Sequence, residues 1–199
     1  MIPGLRYVSE YLDAVTHDSL LASVDEGAWR DFGERRAQIY GYSYHYTKGG
    51  LYRVEDLPPW AEDLSARLVR DGLMPDAADQ LIVNDYAAGQ GIQAHVDAPL
   101  FTDTIISVSL GSNCVMEFTN EAGDTEARFL EPRSTLVIGG EARHGGSHDA
   151  ASIDELSVGE KRIGDRRAAL GSVEMHTCES TASHVRSRSR EGGLQEIAP

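Results

Sequence analysis

The chain has 199 residues, enough for one domain with a sizeable buried core. Its net charge of −14 argues against a broad electrostatic contact with a phosphate backbone. No apolar run approaches the roughly 18 residues needed to cross a bilayer, and the N-terminus lacks the pattern of a secretory signal. The cysteines, Cys114 and Cys178, form no motif and are expected to be reduced thiols. We therefore predict a cytoplasmic protein that does not contact membranes.

The first third of the chain is predicted to be largely helical. Val8, Leu12 and Val15 recur at helical spacing. A further helix is predicted to begin at Pro59, because proline suits the first turn, and to end near Gly72.

Between these segments, four tyrosines alternate with other residues: Tyr40, Tyr42, Tyr44 and Tyr46. Residues two apart on a strand project from the same face, so the pattern predicts four phenol rings on one side. The stripe either stacks on a flat substrate such as a base or covers the core from an edge strand with its hydroxyls in water. The sequence leaves both interpretations open.

From about residue 80 the hydrophobic period changes to two, which is typical of strands. Short strands separated by polar turns are predicted over Gln80–Tyr86, Ile105–Leu110, Cys114–Thr119, Ala127–Leu130, Ser134–Ile138 and Arg167–Val173. The region Gly145–Gly164 has little periodicity and is predicted to be a mobile loop. The pattern as a whole predicts an α+β fold, with a jelly-roll core (a double-stranded β-helix) and the N-terminal helices packed outside.

A metal site is suggested by His95-x-Asp97 and by His148 about fifty residues later. On a strand, His95 and Asp97 would project from the same face and could hold one ion. A histidine from a neighbouring strand would complete two nitrogens and one oxygen on one side of that ion. Such a facial triad suits non-haem Fe(II) and oxygen chemistry.

The surrounding motifs extend this pattern. They are Asn84-x-Tyr86, a glycine turn, His95-x-Asp97, Ser109-Leu110-Gly111, and Arg143 followed by His148. The series resembles the AlkB-like family of Fe(II)/2-oxoglutarate dioxygenases, most densely from Leu81 to His148. The resemblance implies one domain over residues 1–180. Residues 181–199, which carry arginines between serines, are predicted to be a flexible tail. It also implies Fe(II), 2-oxoglutarate and O2 as cofactors.

Several residues acquire roles by this resemblance. His95, Asp97 and His148 would be the catalytic metal ligands. His144 competes as the third ligand, but it occupies the position where the family usually has tyrosine. Arg143 would orient the metal site or bind substrate near it.

The co-substrate residues also follow from the resemblance. Asn84 and Tyr86 would hydrogen-bond 2-oxoglutarate, and Arg167 would pair with its second carboxylate. Val173 stands where we align the second arginine of the family. The tyrosine stripe lies where the family has its nucleotide-recognition lid, which makes its four tyrosines candidate substrate-binding residues.

These roles predict an oxidoreductase that hydroxylates, and thereby demethylates, alkylated bases in nucleic acid. The base would be single-stranded or flipped out of a duplex. The acidic chain weakens this choice of substrate. The alternatives are a hydroxylase or demethylase of a protein or small molecule, and a non-catalytic metal-binding interaction module.

Overall fold

A computed structural model describes residues 2–33, 35–44, 50–87, 89–98, 100–152 and 172–176. The helices are α1 (Ala14–Asp25), α2 (Pro59–Arg70) and the short α3 (Gly140–His144). The strands are β1 (Leu5–Val8), β2 (Arg30–Asp31), β3 (Arg36–Tyr44), β4 (Leu51–Arg53), β5 (Gln80–Asp85), β6 (Gly91–His95), β7 (Thr104–Ser109), β8 (Cys114–Asn120), β9 (Thr125–Leu130), β10 (Thr135–Gly139), β11 (Gly146–Ser152) and β12 (Ser172–His176).

The strands form two antiparallel sheets. The larger sheet has the order β1-β10-β7-β12-β5-β3-β2, with β4 paired to β3, and the smaller sheet has the order β6-β11-β8-β9. From β5 to β12 every connection except that between β8 and β9 crosses from one sheet to the other, as in a double-stranded β-helix. The predicted jelly roll with helices outside is confirmed.

Alternation along the strands gives the larger sheet two apolar faces. On β7, Ile106 and Val108 pack with α1 and α2 in a cluster that we call the helix-side core. Ile105 points the other way and packs with Met116 and Phe118 of the smaller sheet, in the inter-sheet core. Alternate residues along each strand of the larger sheet therefore face either the helices or the space between the sheets.

The predicted N-terminal helix is wrong before residue 14. Val8 ends β1, which pairs with β10 and places Val8 opposite Thr135. Helix α1 begins only after Asp13, whose carboxylate accepts a hydrogen bond from the Thr16 N–H at 2.8 Å. Val15 is 81% exposed instead of lying in an apolar stripe. Pairing with a distant strand overrides the local helical spacing here.

The predicted loop Gly145–Gly164 is wrong over its first part, where β11 pairs with β6 on one side and β8 on the other. The polar sequence of β11 gives no strand signal. Its conformation is fixed by pairing with a strand on each side. Residues 153–164 and the predicted tail, 181–199, lie outside the described residues.

Helix α2 starts at Pro59 as predicted. In the part of the chain that is described, no helix has the length and apolar character needed to span a membrane.

Candidate active site

Three predicted ligands meet between the two sheets. His95 ends β6 and lies directly opposite His148 of β11, while Asp97 follows β6 by two residues. One ligand atom from each lies within 4.8 Å of the others. Nε2 of His95 is 3.7 Å from Oδ1 of Asp97, and Nε2 of His148 is 3.5 Å from Oδ2 of Asp97. The structure thus assembles two imidazoles and one carboxylate around a single point.

The ring of His95 is oriented by the backbone of its own strand. Its Nδ1 lies 2.9 Å from the carbonyl oxygen of Gln93. A carbonyl only accepts hydrogen bonds, so Nδ1 carries the proton and Nε2 keeps its lone pair. Metal-binding histidines are commonly held in this way by a second partner. The nitrogen left available is the one that faces Asp97.

The environment of Asp97 fits a bound cation. Asp97 and His148 are buried, and the Phe118 ring lies 5.7 Å from the His148 ring on the inner side. Oδ2 of Asp97 is buried without a hydrogen-bond donor among the described residues. Leaving a buried carboxylate oxygen without a partner is costly, and a metal ion would satisfy it. The His95 side chain is 31% exposed, so the site opens on that side.

His144, the competing third ligand, lies away from this group. It is exposed, and its Nε2 lies 2.8 Å from Oδ1 of Asp103. The structure brings His148 to His95 and Asp97, and it leaves His144 at the end of α3.

Arg143 supports the segment that follows Asp97. Its side chain is 2% exposed and reaches three backbone carbonyls. One terminal nitrogen, Nη2, donates to Ala98 at 2.8 Å and to Phe101 at 3.5 Å, and Nη1 donates to Asp97 at 3.5 Å. Of the two roles considered from sequence, this geometry favours orientation of the metal site over direct contact with substrate.

Asn84 of β5 and Tyr86, which directly follows this strand, lie on the inter-sheet side. Tyr86 packs with Phe118 in the inter-sheet core, so both residues share the chamber that contains the three ligands. Across the sheet, Asn84 is in register with Ser172, and Ser172 is in register with Ser109. Oγ of Ser109 is buried without a hydrogen-bond partner among the described residues. This side of the chamber therefore offers polar groups suited to a polar ligand.

The tyrosine stripe divides between two surfaces. Tyr40 is opposite Leu81 and packs on the helix-side core, where burial raises the pKa of its phenol and the nearby Glu55 raises it further. Tyr42 and Tyr44 instead pack on Ala98 and Phe101, immediately after Asp97. The expectation of one common face is wrong for Tyr40. Tyr46 lies outside the described residues.

The break in the stripe has a backbone cause. Gly41 has φ +75°, a left-handed conformation that glycine adopts without strain. Pairing of β3 changes at this glycine, from β5 to β4. Period-two alternation does not survive such an irregularity, so the rings after it face a new surface.

The comparison with protein families decides the class. The family model described as the 2OG-Fe(II) oxygenase superfamily matches residues 17–171. The chain belongs to this superfamily. Within it the chain is AlkB-like, and the superfamily uses Fe(II), 2-oxoglutarate and O2.

Relatives and solved structures agree with this assignment. The chain is 34% identical over 158 residues to the macaque (Macaca fascicularis) tRNA (carboxymethyluridine(34)-5-O)-methyltransferase ALKBH8, which covers 73% of this chain and 24% of the relative. It is 31% identical over 208 aligned residues to the Alkylated DNA repair protein ALKBH8 homolog of Arabidopsis thaliana, covering 89% of this chain and 60% of the relative. The solved structure of OsALKBH1 superposes with a TM-score of 0.66 at 14% identity, covering 89% of this chain and 99% of that one. The chain thus spans less than two thirds of the length of these two relatives.

The two positions aligned with the co-substrate arginines of the family are Arg167 and Val173. Arg167 lies outside the described residues. Val173 is fully buried in the helix-side core, opposite Val83 of β5. Its side chain points away from the chamber, so the position aligned with the second arginine of the family does not face the co-substrate site.

Sequence reasoning missed one residue of this chamber, Arg35. Its Nε donates to Oδ1 of Asn84 at 2.8 Å. The available signal was spacing along the strand. Arg35 and Ala37 are two residues apart, so both side chains project from the same face, and Ala37 is opposite Asn84 on that face. That signal could be used only once the pairing of β3 with β5 was known.

The chemistry of this oxygenase divides between its cofactors and its side chains. When bound, Fe(II) and 2-oxoglutarate activate O2, and the oxidation of 2-oxoglutarate to succinate and carbon dioxide accompanies oxidation of the substrate. His95, Asp97 and His148 would hold the metal from one side, which leaves the other side for co-substrate and O2. Asn84 and Tyr86 would orient the co-substrate. Burial of Asp97 and His148 keeps water from the inner half of the site.

Proposed function

We propose that this oxygenase oxidises an N-alkyl group on a base of single-stranded nucleic acid. Hydroxylation of an N-methyl carbon gives a product that collapses to formaldehyde and the free amine. The observation that carries the proposal is the position of Tyr42 and Tyr44, which pack on the segment directly after the ligand Asp97. Aromatic rings beside the reacting centre suit the flat face of an extruded base.

The electrostatics favour a single strand over a duplex. The Arg53 guanidinium lies 5.8 Å from the Tyr42 ring, but it also pairs with Asp56. A net charge of −14 argues against a broad electrostatic contact with the two phosphate backbones of a duplex. Stacking supplies affinity with few phosphate contacts, and extrusion of a base costs less energy from a single strand than from a duplex.

The names of the relatives support nucleic acid as the substrate class. The macaque protein is named for a tRNA modification and the Arabidopsis protein for repair of alkylated DNA. Both are longer than the present chain, so their activities as whole proteins serve here only as support.

The test measures formaldehyde and succinate with three methylated substrates: a single-stranded oligonucleotide, a lysine peptide and a free nucleoside. We expect turnover with the oligonucleotide at the lowest KM. Turnover of the peptide or nucleoside with none of the oligonucleotide would overturn the proposal in favour of a protein or small-molecule substrate.

Variants of the tyrosines localise the contact. Tyr44→Ala is expected to raise the KM for the oligonucleotide about tenfold, as for the loss of one stacked base, and to leave the binding of 2-oxoglutarate unchanged. Tyr40→Phe is the control, because Tyr40 packs on the helix-side core. Equal effects of the two substitutions would contradict a stacking site at Tyr44.

A further inference from the structure

Arg35 enters the chamber just before β3. Because Ala37 is opposite Asn84, the alternating position 35 lies on the same side of the sheet. Arg36 faces the other way, where it pairs with Asp85 and stacks on Trp29 at 4.4 Å. Two adjacent arginines thus serve opposite faces, and only Arg35 faces the space between the sheets.

The Arg35 guanidinium is held in place through one of its three nitrogens. Its Nε donates to Oδ1 of Asn84 at 2.8 Å, and its central carbon lies 5.3 Å from the Phe32 ring centroid. In the described part of the chain no carboxylate forms an ion pair with it, whereas Arg30 and Arg36 both have acidic partners. The two terminal amino groups remain available for a carboxylate ligand.

The same contact orients Asn84. Its amide has one acceptor oxygen and one donor nitrogen. Because Oδ1 accepts from Arg35, Nδ2 is left to donate elsewhere. A guanidinium and an amide N–H of this kind form a matched pair of donors for one anionic ligand.

The ligand they fit is the co-substrate. We propose that Arg35 binds the second carboxylate of 2-oxoglutarate, the one that does not bind the metal, and that it also fixes the Asn84 amide. Tyr86, two residues beyond Asn84, belongs to the same inter-sheet core as Phe118, whose ring lies 5.7 Å from that of His148. Arg35 and Asn84 therefore share the chamber with the metal ligands. The inference depends on the use of 2-oxoglutarate and not on which substrate is oxidised.

The test is direct titration of the full chain with Mn(II), without O2 or nucleic acid. Calorimetry gives the Kd for 2-oxoglutarate and for 2-oxopentanoate, which has the same carbon chain but lacks the second carboxylate. Arg35→Gln is expected to raise the Kd for 2-oxoglutarate about tenfold or more and to leave the Kd for 2-oxopentanoate unchanged. The wild-type preference for the dicarboxylate would then largely disappear.

Two controls separate this role from simpler ones. Arg30→Gln removes the same charge from an exposed side chain and should not change either Kd. Arg167→Gln tests the arginine aligned with the family. If Arg167→Gln abolishes the preference and Arg35→Gln does not, the proposal is overturned. An equal weakening of both ligands by Arg35→Gln also overturns it, since that result indicates only a structural contact with Asn84.

Arg35→Lys covers the case in which Arg35→Gln does not fold. Lysine keeps the charge but loses the planar pair of donors. We expect a preference for the dicarboxylate between those of the wild type and Arg35→Gln, with a wild-type melting temperature. A wild-type preference in Arg35→Lys, together with its loss in Arg167→Gln, would assign the second carboxylate to Arg167 alone. Because nucleic acid is absent, failure of the proposed substrate leaves these results unaffected.

Discussion

His95 and His148 are direct cross-strand partners, with ring centroids 4.7 Å apart and ring planes tilted by 54°. Side chains that are directly opposite on antiparallel strands project from the same face at close spacing. Pairing of β6 with β11 therefore places both imidazoles before any metal binds. Asp97, two residues after His95, is then the only one of the three that depends on an irregular segment for its position.

Loss of any of the three side chains should remove the metal centre. His95→Ala and Asp97→Ala are each expected to abolish the absorption band that forms when Fe(II) and 2-oxoglutarate are added without O2. Both should also reduce succinate formation to background. His144→Ala is the matched control, because that histidine is exposed and lies beside Asp103. A band of wild-type intensity in Asp97→Ala would contradict the assignment of the ligands.

Arg143 should act on the metal through Asp97. Arg143→Lys keeps the charge but loses the planar set of donors that reaches Asp97, Ala98 and Phe101. We expect metal affinity to fall about tenfold, as for the loss of a group that supports a ligand. Titration with Mn(II) measures it.

A control for Arg143 is Arg133→Lys, at a partly exposed arginine paired with Glu10. Its metal affinity should match that of the wild type. If Arg143→Lys instead raises only the KM for the oxidised substrate, Arg143 contacts substrate and does not position the ligand.

How far the sequence predicted this site depended on where its residues lie. Strands β5, β7, β8 and β10 show clear alternation, so local pattern was sufficient for them. The prediction that His95 and Asp97 share one strand is wrong for Asp97, because β6 ends at His95 and an irregular segment carries Asp97. β1 and β11 were missed, because each is fixed by strands distant in sequence. His148 was placed correctly through the motif, although its own strand had been predicted as a loop.

The tyrosines show a second limit. Alternation from Tyr40 to Tyr44 predicts one face only if the strand is regular. Gly41 departs from extended geometry, and a single glycine gives no information on its own φ. Arg35 shows a third limit, because its partner Asn84 is 49 residues away and no local pattern connects them.

Val173 should matter for stability and not for the co-substrate. Val173→Ala is expected to lower the free energy of unfolding by about 2 kcal/mol, because it removes buried methyl groups and leaves a cavity. The Kd for 2-oxoglutarate should stay unchanged. Urea unfolding and calorimetry measure the two quantities.

The matched control for Val173 is Val15→Ala, at a position 81% exposed. It should change stability by less than about 0.5 kcal/mol. Val173→Arg should yield little folded protein, since it buries a charge among apolar side chains. A folded Val173→Arg variant with tighter 2-oxoglutarate binding would show that this position does face the chamber.

Gly41 should be the residue that keeps Tyr42 and Tyr44 beside the metal site. A Cβ at Gly41 would lie 1.9 Å from the backbone oxygen of Asp79, and the residue also has φ +75°. Gly41→Ala must therefore distort the chain, at a cost beyond the roughly 1–2 kcal/mol of the left-handed conformation alone.

Gly72→Ala isolates that smaller cost, because Gly72 has φ +70° and nothing within 4 Å of an added Cβ. We expect Gly41→Ala to be clearly less stable in urea than Gly72→Ala and to raise the KM for a methylated oligonucleotide, which Gly72→Ala should leave unchanged. Equal stabilities would show that the turn at Gly41 can relax, and an unchanged KM would separate the tyrosines from substrate binding.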